Sequence, residues 1–342
     1  MILAPGNIHS SSFLRFKARS RESLRQFKPL RPSHQKIFVW KVFNPSCYQD
    51  LKVHEVSATV AVSRPKRSGD PMDSQIVAIF CLCDDVLKGL HHHEDPQCKM
   101  SDAEVMTTSI VAAVFFGGNM ETARTFLKEQ GYIPKMLGKS RFNRRQHRMA
   151  ELFLTLFNML AEFWKELNEQ SIYVLDSFPM VTCDNYRIPR SRRYRGEDWR
   201  GYQASKRRYF YGLKLHLMVT GSGQPVEFFL TPGSWSDTRA LKMYQFDLPE
   251  DALVTGDKAY NDYDLEDMML EAQLNLLPLR KENSHRTLPA VLASLLSYCR
   301  KVIETTGSLI ERLLPKHIHA VTARGFELKI ALFVLAVSFN SF

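Results

Sequence analysis

The sequence lacks any pair of cysteines at the Cys-x-x-Cys spacing of zinc and redox sites. Its six cysteines are scattered along 342 residues, and no histidine spacing completes a tetrahedral site. We therefore expect free thiols and a reducing cytoplasm. The run His91-His92-His93 near Cys98 has two interpretations, a metal-binding tract or a solvated polar linker, and the second is favoured.

Long apolar runs are also missing. No stretch reaches the ~20 residues that a membrane-spanning helix needs, and the C-terminal run from Ile330 to Phe339 is about half as long. That run predicts a buried terminal helix instead.

Acidic residues are scarce at the N-terminus. Residues 1–71 hold 13 Lys and Arg against 4 Asp and Glu, so they carry +9 of the net charge of +10. They are rich in Ser and Pro and show no sustained helical or strand period, although their composition would also suit an organelle transit peptide. Because a clean helical pattern starts at Met72, we interpret residues 1–71 as an upstream extension or a disordered arm.

A second basic segment, Tyr186–Lys214, contains ten basic residues against two acidic ones. The ten are Arg187, Arg190, Arg192, Arg193, Arg195, Arg200, Lys206, Arg207, Arg208 and Lys214. Seven aromatic residues alternate with them, Tyr186, Tyr194, Trp199, Tyr202, Tyr209, Phe210 and Tyr211. Guanidinium groups contact phosphates and aromatic rings stack on unpaired bases, so the composition indicates a surface facing nucleic acid. A solvated charged loop is the alternative.

The sequence pattern of residues 72–170 predicts helices and no strands. Ser101 opens one helix with a capping box, Asn119 caps a second, and a third starts at Ser140. The third helix begins with a basic end and continues into an apolar stripe; its basic residues include Arg141, Arg144, Arg145 and Arg148. Short helices joined by glycine turns before a basic helix are typical of helix-turn-helix DNA readers. Any small helical bundle shows the same pattern, so DNA reading stays one hypothesis.

Residues 171–342 change to strands and helices. The predicted strands are Ile172–Asp176, Tyr211–Val219, Val226–Leu230, 252–256 and 275–279. Helices are predicted from Asp237, from a cap at Asp264, and from Pro289 to Leu314. A meander followed by alternating strands and helices predicts an α/β fold with a mixed sheet and flanking helices, preceded by a small all-helical domain.

Three carboxylates occupy positions suited to a shared site. Asp176 and Asp257 each end a predicted strand, and Glu304 lies in the last long helical pattern before the C-terminal run. Ligands gather at the carboxyl ends of strands in α/β folds, and three carboxylates are enough to hold two divalent cations about 4 Å apart for phosphoryl chemistry. Each acid also has a plain structural interpretation: a turn or cap for the aspartates, and an i,i+4 ion pair with Arg300 for Glu304.

Several blocks of sequence occur in an order that resembles a known family. They include Leu175-Asp-Ser-Phe-Pro179, Arg200–His216, Gly256–Tyr263, Ile303-Glu-Thr305, Ser101–Val105, Phe115–Asn119, Ser140–Arg145 and Thr322–Lys329. From about Met72 to the C-terminus the chain is similar to the DDE transposases of bacterial insertion sequences, most closely the insertion sequence 982 group.

The resemblance implies an RNase H-like catalytic domain in which Asp176, Asp257 and Glu304 hold two Mg²⁺ ions, with Mn²⁺ as a substitute. Such an enzyme cuts DNA at terminal inverted repeats, and the released 3′-hydroxyl then attacks target DNA. Lys258 and Arg300 would face phosphates. Homo-oligomerisation at the paired DNA ends and a bacterial, nucleoid-associated location in the cytoplasm are further expectations. A non-catalytic DNA-binding derivative and a stand-alone nuclease are the alternatives.

One residue departs from the family pattern. Gly307 follows Glu304 by about one helical turn, where the resemblance leads us to expect an aromatic residue. Because glycine costs about 1 kcal/mol of helix propensity and removes a packing group, we predict that Gly307→Phe raises stability or cleavage. A decayed copy is therefore an alternative to an active one.

Overall fold

The computed structural model describes residues 71–204, 206–315 and 318–339. The interpretation of residues 1–71 as an extension therefore lies outside the described residues, apart from Pro71, which begins the first helix.

The first part of the described chain is helical throughout, as predicted. Its helices are α1 (Pro71–Gly89), α2 (Asp102–Phe115), α3 (Met120–Glu129), α4 (Lys139–Arg148) and α5 (Ala150–Leu167). The third predicted helix is in fact two. The backbone leaves helical geometry at Met149 (φ −90°, ψ 11°), which ends the basic α4 and begins the apolar α5.

The predicted capping box of α2 is present. The backbone N–H of Glu104 donates to Ser101 Oγ at 3.1 Å, and the Ser101 N–H donates back to Glu104 Oε2 at 2.6 Å. These bonds satisfy two backbone donors at the start of a helix that is buried along most of its length.

Ser101→Ala is expected to lower the free energy of unfolding by about 1 kcal/mol, because the backbone N–H of Glu104 loses its acceptor. Urea denaturation measures the change. Glu104→Gln keeps an acceptor for the Ser101 N–H and should cost less; equal losses for the two variants would contradict the capping explanation.

The second part forms a mixed sheet with flanking helices. The strands are β1 (Ile172–Val181), β2 (Arg200–Gln203), β3 (Arg208–Thr220), β4 (Pro225–Pro232), β5 (Leu253–Gly256) and β6 (Asn275–Leu276). The helices are α6 (Asp237–Met243), α7 (Tyr263–Glu271), α8 (Ala290–Leu313) and α9 (Ala323–Phe339). The strand order is β2-β3-β1-β5-β6, with β4 also paired to β3. The meander β1-β3-β4 is antiparallel, whereas β1-β5-β6 is parallel, so the predicted fold class is confirmed.

The strand β1 is longer than predicted, so Asp176 lies inside it rather than at its end. Residues beyond Asp176 continue to pair with β3, down to Val181 opposite Gly212. Pro179 is tolerated because β5 ends at Gly256, which leaves this part of β1 with one unpaired edge.

Other boundaries also differ from the predictions. Asp262 caps α7, its Oδ1 accepting from the Leu265 N–H at 3.2 Å, where Asp264 was predicted. The strand β6 is shorter than predicted, and β2 was missed because its four residues lie within the basic segment.

The helix α9 supplies much of the core, which confirms the buried terminal helix. Phe326 and Phe333 are almost wholly buried, and α9 packs against α2, α5, α8 and β4. The helical region and the sheet thus share one core. The division into a helical domain up to residue 170 and a catalytic domain from residue 171 stays a prediction. No single helix of the described residues is long and apolar enough to cross a membrane. Together α2 and α3 have sufficient length and apolar composition, but their axes are bent by 114° relative to each other.

Candidate active site beside the parallel strand pair

Asp176 in β1 and Asp257, which directly follows β5, occupy adjacent positions of two neighbouring strand segments. Leu175 pairs with Gly256 in the parallel β1–β5 ladder, and the next residue of each chain segment is the aspartate. Neighbouring strands are about 4.8 Å apart, so the two carboxylates start from adjacent backbone positions. Asp257 Oδ1 accepts from the Lys258 N–H at 2.6 Å, and Asp176 Oδ1 accepts from the Ser177 N–H at 2.7 Å.

Arg300 of α8 connects Glu304 to this pair of strands. Its Nη1 donates to Asp257 Oδ1 at 3.0 Å, and its Nε donates to Glu304 Oε1 at 2.9 Å. The i,i+4 ion pair that was the plain interpretation of Glu304 is therefore present. The same guanidinium also binds Asp257, which is 43 residues away in the chain, so the plain and the functional interpretations hold together.

The electrostatics of Asp176 agree with a cluster of acids. The pKa of Asp176 is raised to about 6. Burial is the largest cause and the charges of Asp257 and Asp237 add to it, while the Ser177 N–H and Arg300 act in the opposite direction. A carboxyl in this position binds a proton more readily than usual, and a nearby cation would favour its charged form.

The donor chemistry of the two aspartates fits a divalent cation, because carboxylate oxygens are the ligands that Mg²⁺ prefers. A third ligand is not in place, since no three His, Cys, Asp or Glu side chains of the described residues are gathered closely enough to hold a metal. The positive charge of Arg300 lies between Asp257 and Glu304 instead.

The two residues predicted to face phosphates differ in their surroundings. Lys258 is exposed and lines an open cleft of about 360 Å³, together with Arg280 and Lys281. Arg300 is bound to acids within the chain. Of these two residues, Lys258 is therefore the one whose side chain forms no ion pair with an acid of the described residues.

The basic segment is mostly exposed. Five of its arginines lie on the surface with no carboxylate of the described chain within ion-pair distance: Arg190, Arg192, Arg195, Arg207 and Arg208. Three other basic residues, two arginines and one lysine, have acidic partners: Asp184 lies 3.9 Å from Arg187, Glu197 lies 3.2 Å from Arg200 and Glu311 lies 3.8 Å from Lys206. Tyr202 and Tyr209 are 51% and 62% exposed, and their rings lie 5.0 Å apart across the β2–β3 pair.

Two arginines predicted to contact DNA are bound inside the chain. Arg145 donates to the Met100 carbonyl, to Glu94 Oε1 at 2.8 Å and to Asp102. Arg193 donates to the carbonyl groups of Thr182 and Ile318. By contrast, Arg141 and Arg144 are exposed on α4.

Two residues, Asp237 and Tyr260, whose side chains interact with Asp176, were not predicted from the sequence. Asp237 Oδ1 lies 3.1 Å from Lys214 Nζ, and it is the acid besides Asp257 whose charge raises the pKa of Asp176. Tyr260 is wholly buried against Gly256, where an added Cβ would lie 2.7 Å from Tyr260 Cδ2. The cap residue Ser236 signals a helix start at Asp237, but no spacing connects this acid to Asp176.

His216 is the buried histidine of this region. Burial lowers its pKa to about 4, and its Nε2 lies 3.0 Å from Thr231 Oγ1. His216 is therefore neutral at pH 7 and packs as part of the core.

The surroundings of Gly307 argue against an aromatic residue at this position, and the effect of Gly307→Phe stays a prediction. A Cβ built on Gly307 would lie 2.3 Å from Cε1 of Phe178, so the ring of Phe178 already fills the space beside α8. The aromatic group expected on the helix is supplied by the strand β1, and Gly307 allows the close approach.

Residues 166–318, which include the three acids, match a family model described as "Transposase DDE domain". No curated protein matches the chain. Among solved structures, the chain is similar to a piggyBac transposase in a cryo-EM synaptic complex with hairpin DNA, at 11% identity and a TM-score of 0.36, covering 80% of this chain and 73% of that one.

Proposed function

We propose that this protein is a transposase that cuts DNA phosphodiester bonds and joins the released 3′-hydroxyl to target DNA. One observation carries the proposal. Asp176 in β1 and Asp257 directly after the parallel strand β5 occupy adjacent positions, and Arg300 links Asp257 to Glu304. All four lie within the residues that match the DDE domain.

The proposed catalytic residues are Asp176, Asp257 and Glu304. The two aspartates would hold Mg²⁺ or Mn²⁺, which when bound activates the attacking oxygen and stabilises the leaving one. Arg300 offsets the repulsion among the carboxylates, because its guanidinium lies between Asp257 and Glu304. Lys258 adds a positive charge on the side of Asp257 that is open to solvent.

The proposed DNA surface combines the exposed arginines of the basic segment with the Tyr202–Tyr209 pair. Arginines without acidic partners can contact phosphates at full charge, and exposed rings can stack on unpaired bases. Arg141 and Arg144 of α4 are a second place for DNA contact. The DNA would be the terminal inverted repeats of the element and the target.

We also propose four further properties of this protein. They are the insertion sequence 982 group, a bacterial origin, a homo-oligomer that holds two DNA ends together and a cytoplasmic location at the nucleoid.

A second candidate, a non-catalytic DNA-binding derivative, is favoured by one observation. In the part of the chain that the structure describes, no three possible metal ligands form a group, and Arg300 lies between two of the acids.

One assay separates these functions. The protein is incubated with labelled duplex DNA that carries the ends flanking its own coding region, with Mg²⁺ or with EDTA. Cleavage and joining that require the metal and are lost in Asp257→Ala support the transposase. Binding without cleavage supports the derivative, and cleavage without joining supports a nuclease. Equal cleavage by wild type and Asp257→Ala would contradict the site.

A further inference from the structure

A cleft of about 1370 Å³ opens between the helical region and α9, and none of the three acids lines it. Its walls are the turn Gly117–Asn119, the start of α4, the segment after β1 and the residues around the start of α9. We refer to it as the α4–α9 cleft. Its floor is apolar and contains Phe116 and Leu328, whereas charged side chains stand around it.

The charge around the α4–α9 cleft is positive after its internal ion pairs are counted. Its two acids already have partners: Glu121 lies 2.7 Å from Arg124, and Asp184 lies 3.9 Å from Arg187. Three further cations line the cleft, namely Lys139, Arg193 and Lys329, and none of them has a carboxylate of the described residues within ion-pair distance. The cleft is therefore lined by three cations that form no ion pair with a carboxylate of the described residues.

The excess of positive charge lowers the stability of the folded protein most clearly at Lys329. Its Nζ donates to the carbonyl of His319, and burial lowers the pKa of Lys329. A partly buried ammonium group without a counter-ion destabilises the protein, and a bound anion would offset that cost.

The N-terminal ends of three helices add to the positive electrostatic potential of the cleft. The N-termini of α3, α4 and α9 all contribute residues to the cleft wall, among them Asn119, Ser140 and Thr322. The first turn of α4 has no side-chain cap, so its backbone N–H groups remain available to a ligand. Helix N-termini carry partial positive charge and bind phosphate groups.

We propose that the α4–α9 cleft binds the sugar-phosphate backbone of DNA at a position separate from the three acids. This inference rests on the proposed function for the identity of the polyanion. Charge complementarity favours DNA over the other occupants. Residues 1–71 are strongly basic and would be repelled, and a second copy of this chain would bring a protein of the same positive net charge.

The test compares Lys139→Met, Lys329→Met and the double variant with Lys128→Met. Lys128 is an exposed lysine of α3 that does not line the cleft, so it loses the same charge elsewhere. Binding to labelled duplex DNA is measured by fluorescence anisotropy in EDTA across a range of salt concentrations. Lys139 is itself exposed, so Lys139→Met keeps the test valid if Lys329→Met fails to fold.

Each cleft substitution should lower the magnitude of the salt slope by about 0.9 and weaken binding about fivefold at 0.15 M salt. The double variant should bind about thirtyfold more weakly, because two phosphate contacts are lost. Lys128→Met should behave like wild type.

Slopes and affinities equal to those of Lys128→Met would overturn the proposal. A change in sedimentation of the protein alone, without an effect on DNA binding, would assign the cleft to a second copy and likewise overturn it. Because EDTA removes the divalent metal, the result is independent of catalysis. Failure of the proposed function would instead show as intact, cleft-dependent binding with no cleavage in Mg²⁺.

Discussion

Asp176→Asn is expected to abolish DNA cleavage and yet make the metal-free protein more stable at pH 7. The loss of cleavage follows from the loss of a charged oxygen ligand. Removing one such ligand from a phosphoryl-transfer site should cost about 4 kcal/mol of transition-state stabilisation, or roughly a thousandfold in rate. The gain in stability follows from the raised pKa of Asp176.

The sign of the stability effect comes from comparing the two states of the chain. The pKa of Asp176 is about 6 in the folded protein and near 3.8 in an unfolded chain. Between these pH values the unfolded chain releases the proton first, so ionisation favours unfolding and stability falls as the pH rises. Above pH 6 the whole penalty is present. It is worth at most about 3 kcal/mol, and partial exposure of Asp176 reduces it to roughly 1–3 kcal/mol.

Urea denaturation in EDTA at pH 4 and at pH 7 measures this difference. Asp176→Asn should be more stable than wild type at pH 7 and similar to it at pH 4, where the aspartate is protonated when folded. Asp264→Asn is the matched control, because Asp264 is an exposed acid of α7 with no ion-pair partner among the described residues. Lower stability of Asp176→Asn at pH 7, or cleavage at the wild-type rate, would contradict the assignment.

The parts of the fold that could be predicted from the sequence depend on local signals. The capping box at Ser101, the cap at Asn119 and the long helix from Pro289 are set by neighbouring residues, and all three are present. The end of β1 depends on pairing with β3, which is remote in sequence, and the prediction placed it too early. The continuation of β1 through Pro179 depends on where β5 stops, which the local sequence does not show.

Some residues of the candidate site could likewise be predicted from local sequence, whereas others could not. Asp176 and Asp257 could be identified because an acid after a buried apolar run has a predictable position in an α/β sheet. The link through Arg300 was visible only in its local half, the i,i+4 pair with Glu304. Asp237 gave no signal, and neither did the α4–α9 cleft, because each is created by contacts between segments far apart in the chain.

Gly307→Phe is expected to destabilise the protein, which is the reverse of the expectation from sequence. A substitution at Gly307 gains about 1 kcal/mol or less of helix propensity. Against that, the added Cβ would already lie 2.3 Å from the ring of Phe178, and the rest of a phenylalanine side chain would need space that the ring occupies. Forcing a large group into a filled position costs about 1–3 kcal/mol, so the cost of overpacking exceeds the gain in helix propensity.

The consequence extends to cleavage, because Phe178 and Asp176 lie two residues apart on the same face of β1. Displacing the ring would push α8 away from β1, and α8 carries Arg300 and Glu304. Gly307→Phe should therefore also lower the cleavage rate. Urea denaturation and the cleavage assay measure the two effects.

A size exchange tests whether the ring of Phe178 is the cause. Phe178→Ala should destabilise by itself, but Gly307→Phe with Phe178→Ala should be more stable than the sum of the two changes predicts, because the new ring enters the space of the old one. Ser308→Phe is the matched control, since Ser308 is exposed on the same helix, and its effect should stay within about 0.5 kcal/mol. Additive losses of stability in the double variant would show that Phe178 does not limit the space at Gly307. If Gly307→Phe were instead more stable than wild type, the expectation from sequence that Gly307 weakens the protein would be supported.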